Sequence, residues 1–351
     1  MRALTVAPGI ANSARIDDVP DPPLADGSVL VRALALGVCG TDREIVSGEY
    51  GFAPAGQDRL ILGHESLGRV EAAPAGCGLK PGDLVVGIVR RPDPAPCPAC
   101  AAGEWDMCRN GRYTERGIKE RNGYGAERFR IEPEFAIKID PALGALGVLL
   151  EPASVVAKAW DHVELIGQRA KGWQPRTLLV TGGGPIGLLA ALMGAQRRLD
   201  VHVLDHGTSP AKSDLVKKLG GTFHVDGAKL IDQLRPDIVM ECTGATAVIG
   251  ELFGSVGPGG IVCLLGVTAP GREFKLDIGR INRSMVLENE TVFGSVNANR
   301  RHYELAAQAL QQADQAWLKG LITRRVPLAR WPEALEHRAG DIKVVVDFES
   351  E

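Results

Sequence analysis

Along the first third of the chain, apolar residues alternate with polar ones or run in short unbroken stretches, the pattern of strands. Residues 1–6, 28–36, 67–72 and 83–89 carry it, and a return at 132–139 predicts one or two more. Lys80-Pro81-Gly82-Asp83 is a turn signal, and Pro20, Pro22 and Pro23 interrupt regular structure near the start. No helical period intervenes, so this segment predicts a small antiparallel barrel. From about residue 155 the pattern changes. Strands at 177–180, 201–204, 237–242 and 261–266 alternate with helices at 188–193, 209–219 and 247–256. Glycines at 220–221 and around Pro258 stop the last two helices. The alternation predicts a doubly wound α/β domain. A helix at 301–312 and a strand at 343–348 close the chain.

Composition narrows the class. A length of 351 residues suits two or three domains, and 45% hydrophobic with 24% charged residues leaves an ordinary core. A net charge of −3 gives no basic footprint for nucleic acid or an anionic membrane surface. No apolar run reaches the length of a membrane span, and the N-terminus lacks the apolar core of a signal peptide, so a cytoplasmic protein is expected. The seven cysteines are odd in number, and Cys97, Cys100 and Cys108 fall within twelve residues. That clustering suggests metal rather than a disulfide framework.

The strand at 177–180 runs into Thr181-Gly182-Gly183-Gly184-Pro185-Ile186-Gly187, then a helix, then a strand ending at Asp205. This order and spacing predict a dinucleotide-binding βαβ unit. Gly182 permits the tight turn, Gly184 lets a pyrophosphate approach the backbone, and Gly187 lets helix and strand pack closely. Pro185 and Ile186 complete the loop before the helix, whose first N–H groups and dipole favour phosphate charge. Asp205 is placed to hydrogen-bond a free ribose 2′-hydroxyl and to repel a 2′-phosphate.

Three further stretches carry metal-ligand chemistry: Gly37-Val38-Cys39-Gly40-Thr41-Asp42, Leu62-Gly63-His64-Glu65 and Leu149-Leu150-Glu151-Pro152, each expected at a strand end or turn. A thiolate, an imidazole and a carboxylate make three protein ligands and leave a fourth position for substrate. Such a site polarises an alcohol oxygen and lowers its pKa. Singly these residues are weak evidence, since a lone buried cysteine is usually core and a lone histidine is usually a satisfied surface or core residue.

Together they resemble the zinc-dependent medium-chain dehydrogenase/reductase family over essentially the whole chain. The resemblance implies a GroES-like β-rich catalytic domain over 1–155, a Rossmann dinucleotide-binding domain over 156–297, and a return to the catalytic domain over 298–351. It implies that Cys39, His64 and Glu151 hold a catalytic zinc, with Glu65 a near ligand that exchanges with water or Glu151. Thr41 would relay the proton of the substrate hydroxyl, and Asp42 would orient His64. The family's structural zinc lobe uses four cysteines; this chain has Cys97, Cys100 and Cys108, and Asp93 is expected as an oxygen ligand in place of the first.

Other stretches are similar to the glucose (aldose) 1-dehydrogenase branch: residues 39–46, 89–92, 115–118, 294–299 with His302-Tyr303, and 321–325 with 340–344. By that resemblance Glu115 and Asn297 bind sugar hydroxyls, with Thr41, Glu65 and Glu151 adding contacts beside the metal. Where a relative uses Asn on the sugar, this chain has Val89. The branch often carries Asn or Gly followed by Arg-Arg at the ribose position, which suits NADP. Here the residues are Asp205-His206-Gly207, with Lys212 further along, so NAD is expected over NADP. The expected reaction is oxidation of an aldose, foremost D-glucose, at C1 to the lactone by a homo-oligomer, dimer or tetramer. Two rivals stand beside it: a zinc alcohol or polyol dehydrogenase of sorbitol or threonine type, and a non-catalytic NAD-binding redox sensor.

Overall fold

The structure, a computed structural model, describes residues 1–350 apart from 208, 226, 228, 229, 269, 270 and 272–274. The chain divides into two compact units, Met1–Ser154 with Asn297–Glu351, and Val155–Val296.

The first unit is built on the ten-residue strand Val29–Val38, buried along most of its length. It pairs antiparallel with Glu65–Ala72, with Arg128–Ile131 and with the last strand, Lys343–Asp347. Leu84–Gly87 and Ala136–Lys138 extend the sheet on one side, and Ile322–Pro327 lies parallel to Lys343–Asp347 on the other. The C-terminal strand therefore closes a sheet begun three hundred residues earlier.

This unit is not free of helices, as the apolar pattern implied. Gly40–Val46 and Pro98–Ala101 are helical. Seven and four residues are too few to display a 3.6-residue period. The longer helix is anchored by Ile45, fully buried in a cluster with Leu4, Val6, Leu60, Leu62 and Val89, with Val46 packed against its edge. The helix Leu150–Gly167 was also not read from sequence, and Glu151 lies in its first turn rather than at a strand end. One run, Pro141–Gly167, does reach the length and hydropathy of a membrane span, contrary to expectation. It is interrupted at Gly144, and 78% of its most apolar window is buried inside the protein, as in a core helix.

The second unit is a six-stranded, wholly parallel sheet. Its spatial order is Thr222–His224, Asp200–Leu204, Thr177–Thr181, Ile238–Glu241, Ile261–Leu264, Thr291–Gly294. Numbered along the chain this is 3-2-1-4-5-6, whose order reverses between the first and fourth strands. The two outer strands have no buried residue, so they lack the continuous apolar run that marks the equally short inner strands. The core strands are fully buried on both faces, which explains why they read as continuous apolar runs.

Candidate active site

Two groups of side chains, one in each unit, carry the chemistry, and a cysteine lobe accompanies the first.

In the first unit, Val29–Val38 delivers the chain to Cys39, which caps the helix Gly40–Val46. Asp42 completes the cap, its Oδ2 accepting the Cys39 N–H at 2.9 Å. Its other oxygen, Oδ1, faces His64 Nδ1 at 3.5 Å. His64 Nε2 lies 3.1 Å from Cys39 Sγ. Burial opposes charge on His64, but the Cys39 sulfur and the Asp42 carboxylate outweigh it and hold the pKa well above the usual value. Burial likewise opposes charge on Asp42, and His64 outweighs it, so that carboxyl is held low.

His64 is aimed by glycine packing. Gly63 has φ +92°, and residues 123–125 cross directly over it: the N–H groups of Gly123, Tyr124 and Gly125 donate to the carbonyls of Ile61, Gly63 and Leu62 at 2.7–2.9 Å. A Cβ at Gly123 would lie 2.4 Å from the Gly63 oxygen.

Glu65 follows on the strand opposite Gly37. Its carboxylate meets Cys39 and His64 in a group whose ligand atoms lie within 4.8 Å of one another. Both of its oxygens also accept from Lys343 Nζ, at 2.7 and 2.6 Å, and Lys343 donates to the Val38 carbonyl at 3.1 Å. Glu65 and Lys343 are only 2% and 1% exposed. Burial opposes the lysine's charge, yet Glu65 raises its pKa. Sequence reasoning missed Lys343 because a lone lysine beginning an apolar strand reads as its solvated edge. A Cβ on Gly37 would stand 2.0 Å from Glu65 Oε2, so only glycine leaves room for this carboxylate.

Glu151 is buried and close enough to Glu65 and His64 to feel both charges; burial first, then Glu65, raises its pKa to about 7. It is not part of the 4.8 Å group. Thr41 is half-buried in the first turn of the helix behind Cys39. A sulfur, an imidazole nitrogen and buried carboxylates converging on one point, with acids held at the cost of desolvation, suit a divalent cation. His64 Nδ1 and Asp42 Oδ1 otherwise lack a hydrogen-bond partner.

Glu115 is buried rather than a solvated loop charge. Asn297 donates to its Oε1 at 2.7 Å, so the two residues expected at the sugar touch each other. Val89 is buried in the core cluster.

In the lobe, the sulfurs of Cys97, Cys100 and Cys108 lie within 4.8 Å of one another. Backbone N–H groups of Arg109 and Cys100 donate to Cys97 and lower its pKa to about 6, while burial raises Cys100 to about 11. Asp93 does not join them. Its oxygens accept from the Ala95 N–H, from Asn110 at 2.8 Å and from Arg112 at 3.1 Å.

In the second unit, Gly182 adopts φ +96° and Gly184 caps the helix Pro185–Gln196 with no side-chain cap. A Cβ on Gly187 would lie 1.8 Å from the Gly182 oxygen, whereas a Cβ on Gly184 would meet nothing. The turn is thus tight against the protein at Gly187 and open in front of the helix N-terminus, as a pyrophosphate requires. Gly183 has a role the sequence did not suggest: its missing Cβ makes room for the Asp205 carboxylate, 2.8 Å away. Lys212 donates to Asp205 Oδ2 at 2.7 Å and His206 Nδ1 lies 3.2 Å from Oδ1. Burial opposes the Asp205 charge, but Lys212 and then His206 lower its pKa. Glu241 lies fully buried at the end of Ile238–Glu241, accepting from Thr181 Oγ1 at 3.3 Å and from the N–H groups of Thr243 and Gly244 at 2.7 and 3.1 Å.

Known proteins share this architecture. A family model described as the glucose dehydrogenase C-terminus matches residues 144–348, and one described as the alcohol dehydrogenase GroES-like domain matches 25–141. A glucose 1-dehydrogenase of Vulcanisaeta moutnovskia is 40% identical over 99% of both chains. One of Thermoproteus tenax is 40% identical over the full length of both. The solved structure of Haloferax mediterranei glucose dehydrogenase in complex with NADP, zinc and gluconolactone superposes with a TM-score of 0.91 at 30% identity, covering all of both chains.

Proposed function

We propose the activity of this chain from its family: it belongs to the glucose dehydrogenases, within the zinc-dependent medium-chain dehydrogenases. It oxidises an aldose, foremost D-glucose, at C1 to the aldonolactone. The observation that carries this reading is the meeting of half-buried Cys39 with buried His64 and Glu65 in a chain that matches such enzymes end to end.

Cys39, His64 and Glu151 would hold the catalytic zinc, and Glu65, tethered by Lys343, would stand beside it as an exchangeable ligand. When bound, zinc would supply a Lewis acid for the anomeric oxygen and the nicotinamide a hydride acceptor for C1. Asp42 keeps the His64 ring oriented. The Thr41 hydroxyl accepts the O1 proton and passes it to water. Glu115 and Asn297 accept and donate to ring hydroxyls, each of which needs a partner once water is excluded. The three cysteines of the lobe would hold a second zinc, with Asp93, whose Oδ2 is engaged by Asn110 and Arg112, as its fourth ligand.

The glycine turn, with Pro185 and Ile186 at the helix start, receives the pyrophosphate. Asp205, kept charged by Lys212, takes the ribose hydroxyls, and His206 lies beside it, so NAD is the preferred nucleotide. Kinetics with both nucleotides decide this: a higher kcat/KM with NADP sinks it. Replacing Asp205 with Asn frees Lys212 and moves the preference towards NADP by about tenfold or more. The protein acts in the cytoplasm as a homo-oligomer, a reading supported by its composition and its family.

The test is a rate panel of aldoses and simple alcohols with zinc counted per chain. Oxidation of no aldose refutes the assignment; faster turnover of sorbitol or threonine than of any aldose transfers it to the polyol or amino-alcohol type.

A further inference from the structure

Glu115, on the short strand Thr114–Arg116, is held asymmetrically. Arg90 brings Nε and Nη2 to its Oε1 at 3.1 and 3.0 Å, and Asn297 Nδ2 donates to the same oxygen at 2.7 Å. Among the described residues Oε2 takes no hydrogen bond. A carboxylate oxygen offers about two lone-pair sites, so Oε1 is saturated and Oε2 is the remaining acceptor. The second arm of Arg90 reaches the cysteine lobe: Nη1 donates to the Asp106 carbonyl at 3.1 Å, two residues before Cys108. The Asp106 carboxylate accepts from Asn299 Nδ2 at 2.9 Å, two residues after Asn297. The Tyr113 ring lies 3.7 Å from the guanidinium carbon and fixes its plane. One buried arginine therefore joins the lobe to both residues expected at the sugar.

We propose that Arg90 is the positioning residue of sugar recognition: it aims Oε2 of Glu115 at a sugar hydroxyl, and through the Asp106 carbonyl it makes that aim depend on the cysteine lobe. This rests on the reading that Glu115 and Asn297 meet the sugar. The function needs a guanidinium. Its rigid fork serves Oε1 with two donors and the Asp106 carbonyl with a third, whereas a lysine ammonium, a compact charge on a flexible stem, has no planar fork to span the two acceptors and fix the carboxylate's orientation. Losing the fork lets the carboxylate turn, and whichever hydroxyl Oε2 selects loses its partner.

The experiment compares wild-type holoenzyme with R90K, E115Q, R90K/E115Q and C108S. The readouts are KM and kcat for glucose, galactose and mannose, and nucleotide affinity by fluorescence as the check on folding. R90K is expected to raise aldose KM about tenfold and to change the ratio among the three sugars, with kcat changing much less and nucleotide affinity unchanged. In R90K/E115Q the two effects do not add, because both act through one carboxylate. C108S raises aldose KM in the same direction. Normal sugar KM and sugar ratio in folded R90K overturn the proposal, as does full additivity in the double variant. Normal aldose KM in C108S overturns the dependence on the lobe. An E115Q enzyme with unaltered sugar KM overturns both the proposal and the reading beneath it. If Arg90 variants do not fold, Y113L, which keeps the charge and frees the guanidinium plane, decides instead: a changed sugar ratio supports the proposal and an unchanged one overturns it.

Discussion

Glu65 and Lys343 form a buried ion pair 278 residues apart in sequence. Such a pair adds little over well-packed apolar residues, but breaking it leaves one charge stranded in a dry interior. Replacing Lys343 with Met in the metal-free protein should cost about 3–5 kcal/mol in urea unfolding. E65Q in the same chain should recover most of that loss, because no full charge is left behind. Two equal losses would show that packing, not charge, is at stake. Gly37 makes a narrower prediction. A methyl group there collides with Glu65 Oε2 and pushes the carboxylate from its place. G37A should keep its fold and nucleotide affinity while aldose turnover falls about a hundredfold, the scale of a misplacement of roughly 1 Å. Wild-type turnover would mean that this carboxylate is dispensable. Cys39 and His64 could be brought to one metal only through the family resemblance of their two stretches, since singly each was weak evidence. Lys343, Gly37 and Arg90 were not legible, because their meaning lies in a partner strand and not in their own surroundings.

At the scale of elements, strands buried on both faces were the easiest to read, since continuous apolar runs bounded by glycine have few other interpretations. Short helices were lost. Gly40–Val46 holds Cys39 and Asp42 in register, yet its core contact is a single fully buried residue, Ile45. I45A should therefore lower stability by about 2–5 kcal/mol and loosen the capping turn; a change well below that range would show that the sheet alone holds the turn. The paired strands Asp200–Leu204 and Thr222–His224 make a pH prediction. His202 Nδ1 and His224 Nε2 lie 2.9 Å apart with their rings stacked. Burial, then the neighbouring His202, lowers the pKa of His224 below its usual 6.5. The unfolded chain then binds a proton that the folded chain resists. Stability is full above pH 6.5 and declines as the pH falls below it. H224Q should match wild type near neutrality and lose less on acidification, in thermal melts at about pH 7.5 and about pH 5. Parallel acid loss in both proteins would remove the histidine pair as the cause.

For the whole molecule, the two units keep their chemistry separate. The metal-type ligands Cys39, His64, Glu65 and Glu151 all belong to the first, and the glycine turn with Asp205 to the second. A chelator that strips the metal should end aldose oxidation while nucleotide affinity survives, and zinc should restore activity. Loss of nucleotide affinity along with the metal would contradict that separation. The return of the chain to the first unit carries a consequence for biosynthesis. Residues 1–154 leave the ribosome first, but they lack the strand Lys343–Asp347 and the cation that neutralises Glu65. Residues 155–296 are contiguous and complete. The nucleotide-binding half is therefore able to fold while translation continues, and the half made earliest must wait for residues 343–347. A stop codon just before Lys343 would spare the domain made in the middle and ruin the one made at the start.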